Sequence, residues 1–408
     1  MYKRTIKKEI KKLITQFPVV MITGPRQVGK STLTYEFTKE GFSYVSLDDL
    51  NMRASAQADP LQFVKSYKLP LIIDEVQYEP QLFDVIQSIV NKQRLEKGEA
   101  NGLFILTGSQ ENNLKKGIES MAGRVAVVHM YGLSLSEIYG NEELPFTPSL
   151  TRGNERLLNY KINKDEVFKM IVRGQYPELY RNPDINSENY YASYVQTYIE
   201  RDVTEIINIK DKLKFQNFLR YIASLTGQEL IVSQISRALN IKNETVNSWL
   251  SVLTETKIIY LLYPYNEMSL TKRIVKRPKI YFSDTGLAAY LARLNHAKNL
   301  AINKFAGAFF ETFIVNEIMK SYTNNGKLFP GFYYRDNNQN EIDLVLVNQG
   351  QINLIEIKMG MSFNKSDAKV FGVLDNTKHS IGTHAIVCLT DKTYSIGQNI
   401  FVLPIQTI

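Results

Sequence analysis

The stretch Gly24-Pro25-Arg26-Gln27-Val28-Gly29-Lys30-Ser31-Thr32 decides the fold of the first third of this chain. An apolar run, Val19-Val20-Met21-Ile22-Thr23, leads into it, and a helix-prone stretch from Lys30 to Thr38 leads out. Gly24, Gly29, Lys30 and Ser31 have the spacing of a P-loop, in the strand–turn–helix setting its mechanism needs. Glycine lets the loop wrap around phosphate oxygens, and the helix behind it offers free N–H groups and the positive end of its dipole. On that reading residues 24–32 cradle a nucleotide's phosphates, Lys30 pairs with the β- and γ-phosphates, and the Ser31 hydroxyl ligates Mg²⁺. A purely structural glycine-rich turn is the alternative.

Working outward, Leu71-Ile72-Ile73-Asp74-Glu75 reads as a buried strand with two carboxylates at its C-terminal end, where ligands of open parallel sheets lie. Asp74 is expected to hold Mg²⁺ through a water, and Glu75 to polarise the attacking water as general base. A third strand ends in Thr107-Gly108-Ser109. A polar group there, Ser109 above all, would sense the γ-phosphate or orient the water; a satisfied turn residue is the plainer reading. Arg124 is a candidate charge stabiliser, supplied in cis or to a neighbouring subunit, against a solvated surface arginine. With further apolar runs at 43–47 and 125–129 and helical patterns between, the pattern predicts a parallel sheet covered on both faces. Polar residues Asn141–Asn154, with two prolines, mark a boundary.

The 408 residues allow two to four domains at about 100–200 residues each. With 44% hydrophobic and 22% charged residues, the composition excludes fibrous or wholly disordered chains. No apolar run approaches the ~18–20 residues that span a bilayer, so no membrane partner is expected. The lone Cys388 has no internal disulfide partner, which fits a reducing cytosol. The histidines (129, 296, 379 and 384) lack metal-ligand spacing. A net charge of +8 suits anionic partners, nucleic acid among them, and also plain solubility.

Tyrosine-rich helices are expected over 165–211. Leu230–Tyr263 suits a winged helix-turn-helix, with Val232, Ile235 and Leu239 as one stripe, and Val246, Trp249, Leu250 and Leu253 at helical spacing. Lys242, Asn243, Asn247 and Ser248 would then lie toward the front or exposed face of the second helix. Lys272, Arg273, Lys276 and Arg277 would neutralise phosphates, which makes DNA a partner held mainly by charge. The rival is a lid or subunit contact.

A last α/β unit opens with the helix Ala308–Ser321. Asp343 stands on one strand, and Glu356-Ile357-Lys358 ends the next. Alternation puts Glu356 and Lys358 on one face, and a hairpin would bring Asp343 to it. Asp343 and Glu356 would hold Mg²⁺, and Lys358 would steady or activate a water, which together make a metal-assisted phosphodiester site. Glu341 lies on the same side, and Glu311 on the preceding helix would add an acidic group, as in nucleases of the PD-(D/E)XK type, which this stretch resembles. A charged strand end with a Glu–Lys pair is the alternative.

In this order, GPRQVGKST, SLDDL, IIDEVQ, ILTGSQ and AGRV resemble the AAA-type ATPases that carry a C-terminal domain of unknown function. Downstream, RGQYPELY, YIERDV, YFSDTGLAAYL and EIDLVL…LIEIK resemble that C-terminal domain, with Gln175 standing where the family usually has a second glycine. The expected fold is α/β and multidomain: an AAA-type P-loop domain at 1–150, a helical lid at 151–214, a winged helix at 215–279 and a nuclease-like α/β domain at 280–408. The resemblance implies nucleotide binding and ATP hydrolysis with ATP and Mg²⁺ as cofactors. Lys30, Ser31, Asp74 and Glu75 would carry it, in a cytoplasmic protein for which a homo-oligomer is a candidate assembly that the sequence leaves open. The rival functions are an ATP-gated DNA endonuclease and a non-cleaving, nucleotide-switched binding module. Arg201 of YIERDV has no assigned role.

Overall fold

Five short apolar runs build the first sheet: β1 (Val19–Thr23), β2 (Ser43–Ser46), β3 (Leu71–Asp74), β4 (Phe104–Gly108) and β5 (Val125–His129). The computed structural model describes residues 2–109, 111–157, 162–203, 211–266, 277–336, 338–374 and 379–408. The strands run in the order β2-β3-β4-β1-β5, all parallel. Strand β1 is buried along its whole length because alternate side chains enter two different cores. Val20 and Ile22 pack with Ile6, Ile10, Val28 and Leu33; Val19 and Met21 pack with Phe83, Ile86 and Val90 of the helix Leu82–Lys97. The N-terminal helix, Ile6–Ile14, buries Ile6 and Ile10 as its pattern predicts. Two of its lysines are paired, Lys7 with Glu36 at 2.5 Å and Lys11 with Glu40 at 2.8 Å.

The middle of the chain is helical. Lys164–Arg173 starts at an Asn163–Glu166 capping box, and Ser187–Tyr194 at Asn186, which accepts from the Glu188 and Asn189 N–H groups. The helices Lys212–Ser224, Val232–Leu239 and Asn243–Glu255 follow, with a small antiparallel sheet of β6 (Gln228–Glu229), β7 (Ile259–Leu262) and β8 (Lys279–Phe282) in the order β6-β8-β7. Trp249 is core, edge-on to Phe215 and Phe218 at 5.2 and 5.1 Å. The boundary expected at 279 does not hold. Strand β8 is the centre of the middle sheet, and the helices Thr285–Leu291 and Ala297–Ala301 pack back on Lys164–Arg173. The basic run 271–279 ends at Lys279, the first residue of β8, inside one sheet and not between two units. Its Lys272, Arg273 and Lys276 lie outside the described residues.

The last unit begins with the helix Ala306–Thr323, buried on almost every side. Its sheet holds β9 (Gly331–Arg335), β10 (Glu341–Asn348), β11 (Gln351–Lys358), β12 (Ser380–Ile381), β13 (His384–Cys388), β14 (Tyr394–Gly397) and β15 (Ile400–Pro404). β9, β10 and β11 form an antiparallel meander; β11, β13 and β15 are parallel. The stretch Asp367–Leu374 is 3₁₀; β12 pairs parallel with β11, and β14 antiparallel with β15. Among the described residues, no helix is long and apolar enough to cross a membrane.

Gln175 ties the units together. It is 1% exposed, its N–H donates to Asp284 (2.7 Å), and its carbonyl accepts from the Leu133 N–H at 2.7 Å. Its side-chain amide donates to Glu317 and accepts from Lys320, both at 2.6 Å. The departure from glycine leaves the turn intact because Gly174, not Gln175, takes the positive φ of 74°.

Candidate functional site

The parallel strands of the first sheet end at one edge, and the P-loop, Asp74, Glu75 and Ser109 all emerge there. The loop needs its glycines. Gly24 (φ 144°) and Gly29 (φ 95°) take backbone conformations closed to most residues, and a Cβ on Gly24 would run into the Met130 carbonyl. Lys30 opens the helix Lys30–Tyr35 and folds back over the loop, donating to the carbonyls of Gly24 (2.9 Å) and Pro25 (2.8 Å). It is 4% exposed, and burial pushes its ammonium down to about 8, against the pull of Glu75 and Asp74.

Among the described residues, Asp74 is hydrogen-bonded by hydroxyls alone. Its Oδ1 accepts from Ser31 at 3.0 Å and from Thr107; its Oδ2 accepts from Tyr44 at 3.0 Å and Ser46 at 3.4 Å. Ser31 and Asp74, both expected at the cation, are therefore in direct contact. Glu75 sits in the left-handed region at φ 56°, its N–H bonded to the Thr107 hydroxyl at 3.0 Å. Its carboxylate takes bonds from Gln77 and from Ser109 (3.3 Å), so Ser109 does reach the expected general base.

Arg124 does not join them. Its carbonyl accepts from the N–H of Val19, the first residue of β1, and its side chain bonds Asn91 at 2.9 Å. It lies at the opposite edge of the sheet, about 13–16 Å away at ~3.3 Å per strand residue. The in-cis role expected for it fails on that geometry. The Arg201 side chain lies outside the described residues.

Sequence reasoning missed several residues here. Arg4 is buried; it donates to the Val28 carbonyl inside the P-loop (2.8 Å), to the Tyr131 carbonyl (2.7 Å), and pairs with Glu137. Tyr44 and Ser46 reach Asp74 from the edge strand, and their two-residue spacing was a usable signal. A cavity of about 810 Å³ opens beside Lys30, Ser31 and Glu75, and Tyr2, Pro177, Tyr180, Arg181 and Tyr190 also line it. Tyr190 also donates to Gln27 at 2.6 Å.

The C-terminal carboxylates gather as alternation predicts. The hairpin pairs Leu344 with Ile355, which sets Asp343 one step on, beside Glu356, and Asp343 accepts from the Ile357 N–H at 2.7 Å. Lys358 pairs with Glu356 at 2.6 Å. Glu311 and Glu341 are claimed by a lysine the sequence did not single out, Lys279, at 2.9 and 2.6 Å. Burial raises Asp343 and Glu356 above the usual carboxylate range, with the Asp343 charge adding to the rise at Glu356. Among the described residues, no three His, Cys, Asp or Glu side chains converge on a point where a metal ion could be held.

Comparison with known proteins divides the chain the same way. Residues 16–139 match the model of an AAA domain, residues 164–298 a domain of unknown function (DUF8612), and residues 306–408 a second one (DUF4143). The 164–298 match takes in both the helical middle and β8. The "uncharacterized protein Rv2008c" of Mycobacterium tuberculosis is 25% identical over 351 residues, 86% of this chain and 72% of the relative. The "uncharacterized protein MJ1637" of Methanocaldococcus jannaschii is 22% identical over 294 residues, 65% of this chain and 60% of the relative. Among solved structures, a Walker-type ATPase of Pyrococcus abyssi overlaps 71% of this chain and 96% of its own at 15% identity and a TM-score of 0.45. A replication initiator DnaA overlaps 62% of this chain and 87% of its own at 15% identity and a TM-score of 0.30. The N-terminal part of the chain is thus similar to an AAA domain and the C-terminal part to DUF4143.

Proposed function

We propose that the protein binds ATP with Mg²⁺ at the loop 24–32 and hydrolyses it. The observation that carries this is the contact of Ser31 with Asp74 beside a buried Lys30 that bonds only to carbonyls of its own loop in the contacts described above. A phosphate tail offers the ammonium better acceptors than those carbonyls, and a hydrated Mg²⁺ would come between Ser31 and Asp74 Oδ1 without breaking an ion pair, while Tyr44 keeps its bond to Oδ2 and orients the carboxylate. Glu75, released from Gln77 and Ser109, would polarise the attacking water. Arg124 would serve only a neighbouring copy in a ring or dimer. Lys30→Ala should abolish ATP binding in a calorimetric titration, and Glu75→Gln should bind ATP without turning it over. Unchanged turnover in either variant defeats the assignment.

The order helix, β6, two helices, β7, β8 supports reading 212–282 as a winged helix, with 164–203 as the lid over the nucleotide cavity. A second reading is phosphodiester cleavage by Asp343, Glu356 and Lys358 in a nuclease-like domain, favoured by the hairpin register that sets the two carboxylates side by side. Plasmid or branched DNA incubated with Mg²⁺ or Mn²⁺ and ATP should be cut, and Asp343→Ala should stop it. Intact DNA under every condition leaves the third reading, a nucleotide-switched binding module.

A further inference from the structure

We propose that the ammonium group of Lys279 fills the cation position of the C-terminal carboxylate pocket, so that strand β8 of the middle unit holds that pocket closed to divalent metal. The inference rests on the second reading only for the carboxylates as metal ligands, and it narrows that reading: the nucleotide-free chain keeps metal out, so any cleavage is confined to the ATP-bound chain.

The pocket draws its acids from three elements: Glu311 from the helix Ala306–Thr323, Glu341 and Asp343 from β10, and Glu356 from β11. Lys279 reaches them from a different unit. It is 3% exposed, and its Nζ bridges Glu311 and Glu341 at 2.9 and 2.6 Å. Tyr281, two residues along β8 and so on the same face, donates to the same Glu311 oxygen at 2.5 Å. Lys279 is also the largest favourable charge acting on Asp343.

An ammonium is a compact point charge, and bridging two carboxylates is what a hard divalent cation does with the same oxygens. The substitution is incomplete. Four carboxylates face two lysines, Lys279 and Lys358, with Arg335 touching only Glu341 among them, at 3.8 Å, and Glu356 Oε1 is buried, in a residue 3% exposed, with no hydrogen-bond donor among the described residues. A second positive charge at the pocket centre would satisfy that oxygen. Lys279 instead draws Glu311 and Glu341 toward itself, in keeping with the lack of three ligands converging on one point among the described residues.

The test is Mn²⁺ binding to the full, nucleotide-free chain, followed by electron paramagnetic resonance without DNA. Wild type should show no Mn²⁺ site sensitive to Asp343→Asn. Lys279→Met and Lys279→Gln should each gain one bound Mn²⁺ per chain, and adding Asp343→Asn should remove it. Lys279→Arg, which keeps the charge, should gain none. If removing the lysine unfolds the chain, Mn²⁺ should restore the melting transition, since a ligand of the folded state stabilises it by mass action. A wild-type site already lost on Asp343→Asn overturns the proposal. So do folded Lys279 variants without extra Mn²⁺, or unfolded ones that Mn²⁺ does not rescue. DNA cleavage is read separately, so failure of the nuclease reading leaves this result standing.

Discussion

The two ends of the molecule solve the same problem in opposite ways. Each sets carboxylates near a strand end beside a lysine. At the first, Lys30 bonds to loop carbonyls and Asp74 to four hydroxyls, so the groups of opposite charge are kept apart. At the second, Lys279 and Lys358 are paired directly with Glu311, Glu341 and Glu356. A buried ion pair is costly to break because it strands an uncompensated charge, whereas a carbonyl or hydroxyl contact exchanges readily for a stronger ionic one. The first arrangement is poised for an anion and its metal. The second already carries its own counter-charges.

The largest expected effect sharpens this contrast at the first site. Glu75→Gln should lower single-turnover ATP hydrolysis by about 10²–10⁴-fold, the usual worth of a general base, while calorimetric ATP affinity stays put. Asp343→Asn should leave the same hydrolysis unchanged; a matching loss there would dissolve the distinction between the two ends.

Gln175 tests whether the two ends are structurally joined. Gln175→Leu would strip Lys320 and Glu317 of one buried amide bond each while their mutual ion pair stays, at roughly 1–3 kcal/mol in all. Scanning calorimetry should show a melting temperature lower by several degrees. An unchanged melt would mean that water replaces the amide.

The pH dependence of binding follows from Lys30. Its ammonium, pushed down to about 8, is charged below that pH and neutral above it. Phosphates need the charged form, so ATP affinity should be flat below pH 8 and fall above it by about tenfold per unit, with a proton taken up on binding. Lys30→Arg should remove the inflection. The smallest effect belongs to Tyr44→Phe, which deletes one hydroxyl from Asp74. The Mg²⁺ requirement for turnover should rise by about two- to tenfold, for a bond worth ~0.5–1.5 kcal/mol, with Mg-free nucleotide binding unaltered.

Legibility followed sequence distance. The P-loop was readable because a phosphate cradle is made of consecutive residues, and Asp74 because a strand end announces itself. Arg124 was misjudged although the information was present: a residue just before a parallel strand must lie at the edge away from the ligand. Strand β8 was misjudged because a basic run looks like a linker when its strand partners cannot be seen. Strands β12 and β14 escaped because two to four residues are too few for a period to show.

What the sequence determined by itself was the phosphate loop, the alternation of strands and helices around it, and the facing of Asp343, Glu356 and Lys358, all set by spacing along one or two neighbouring segments. Only the tertiary structure decided that Arg4 braces the loop, that Tyr44 holds Asp74, that Gln175 joins the units and that Lys279 lies among the C-terminal acids. Their partners stand tens to more than a hundred residues away, and burial of charge, which fixes what each can do, exists only once those segments meet.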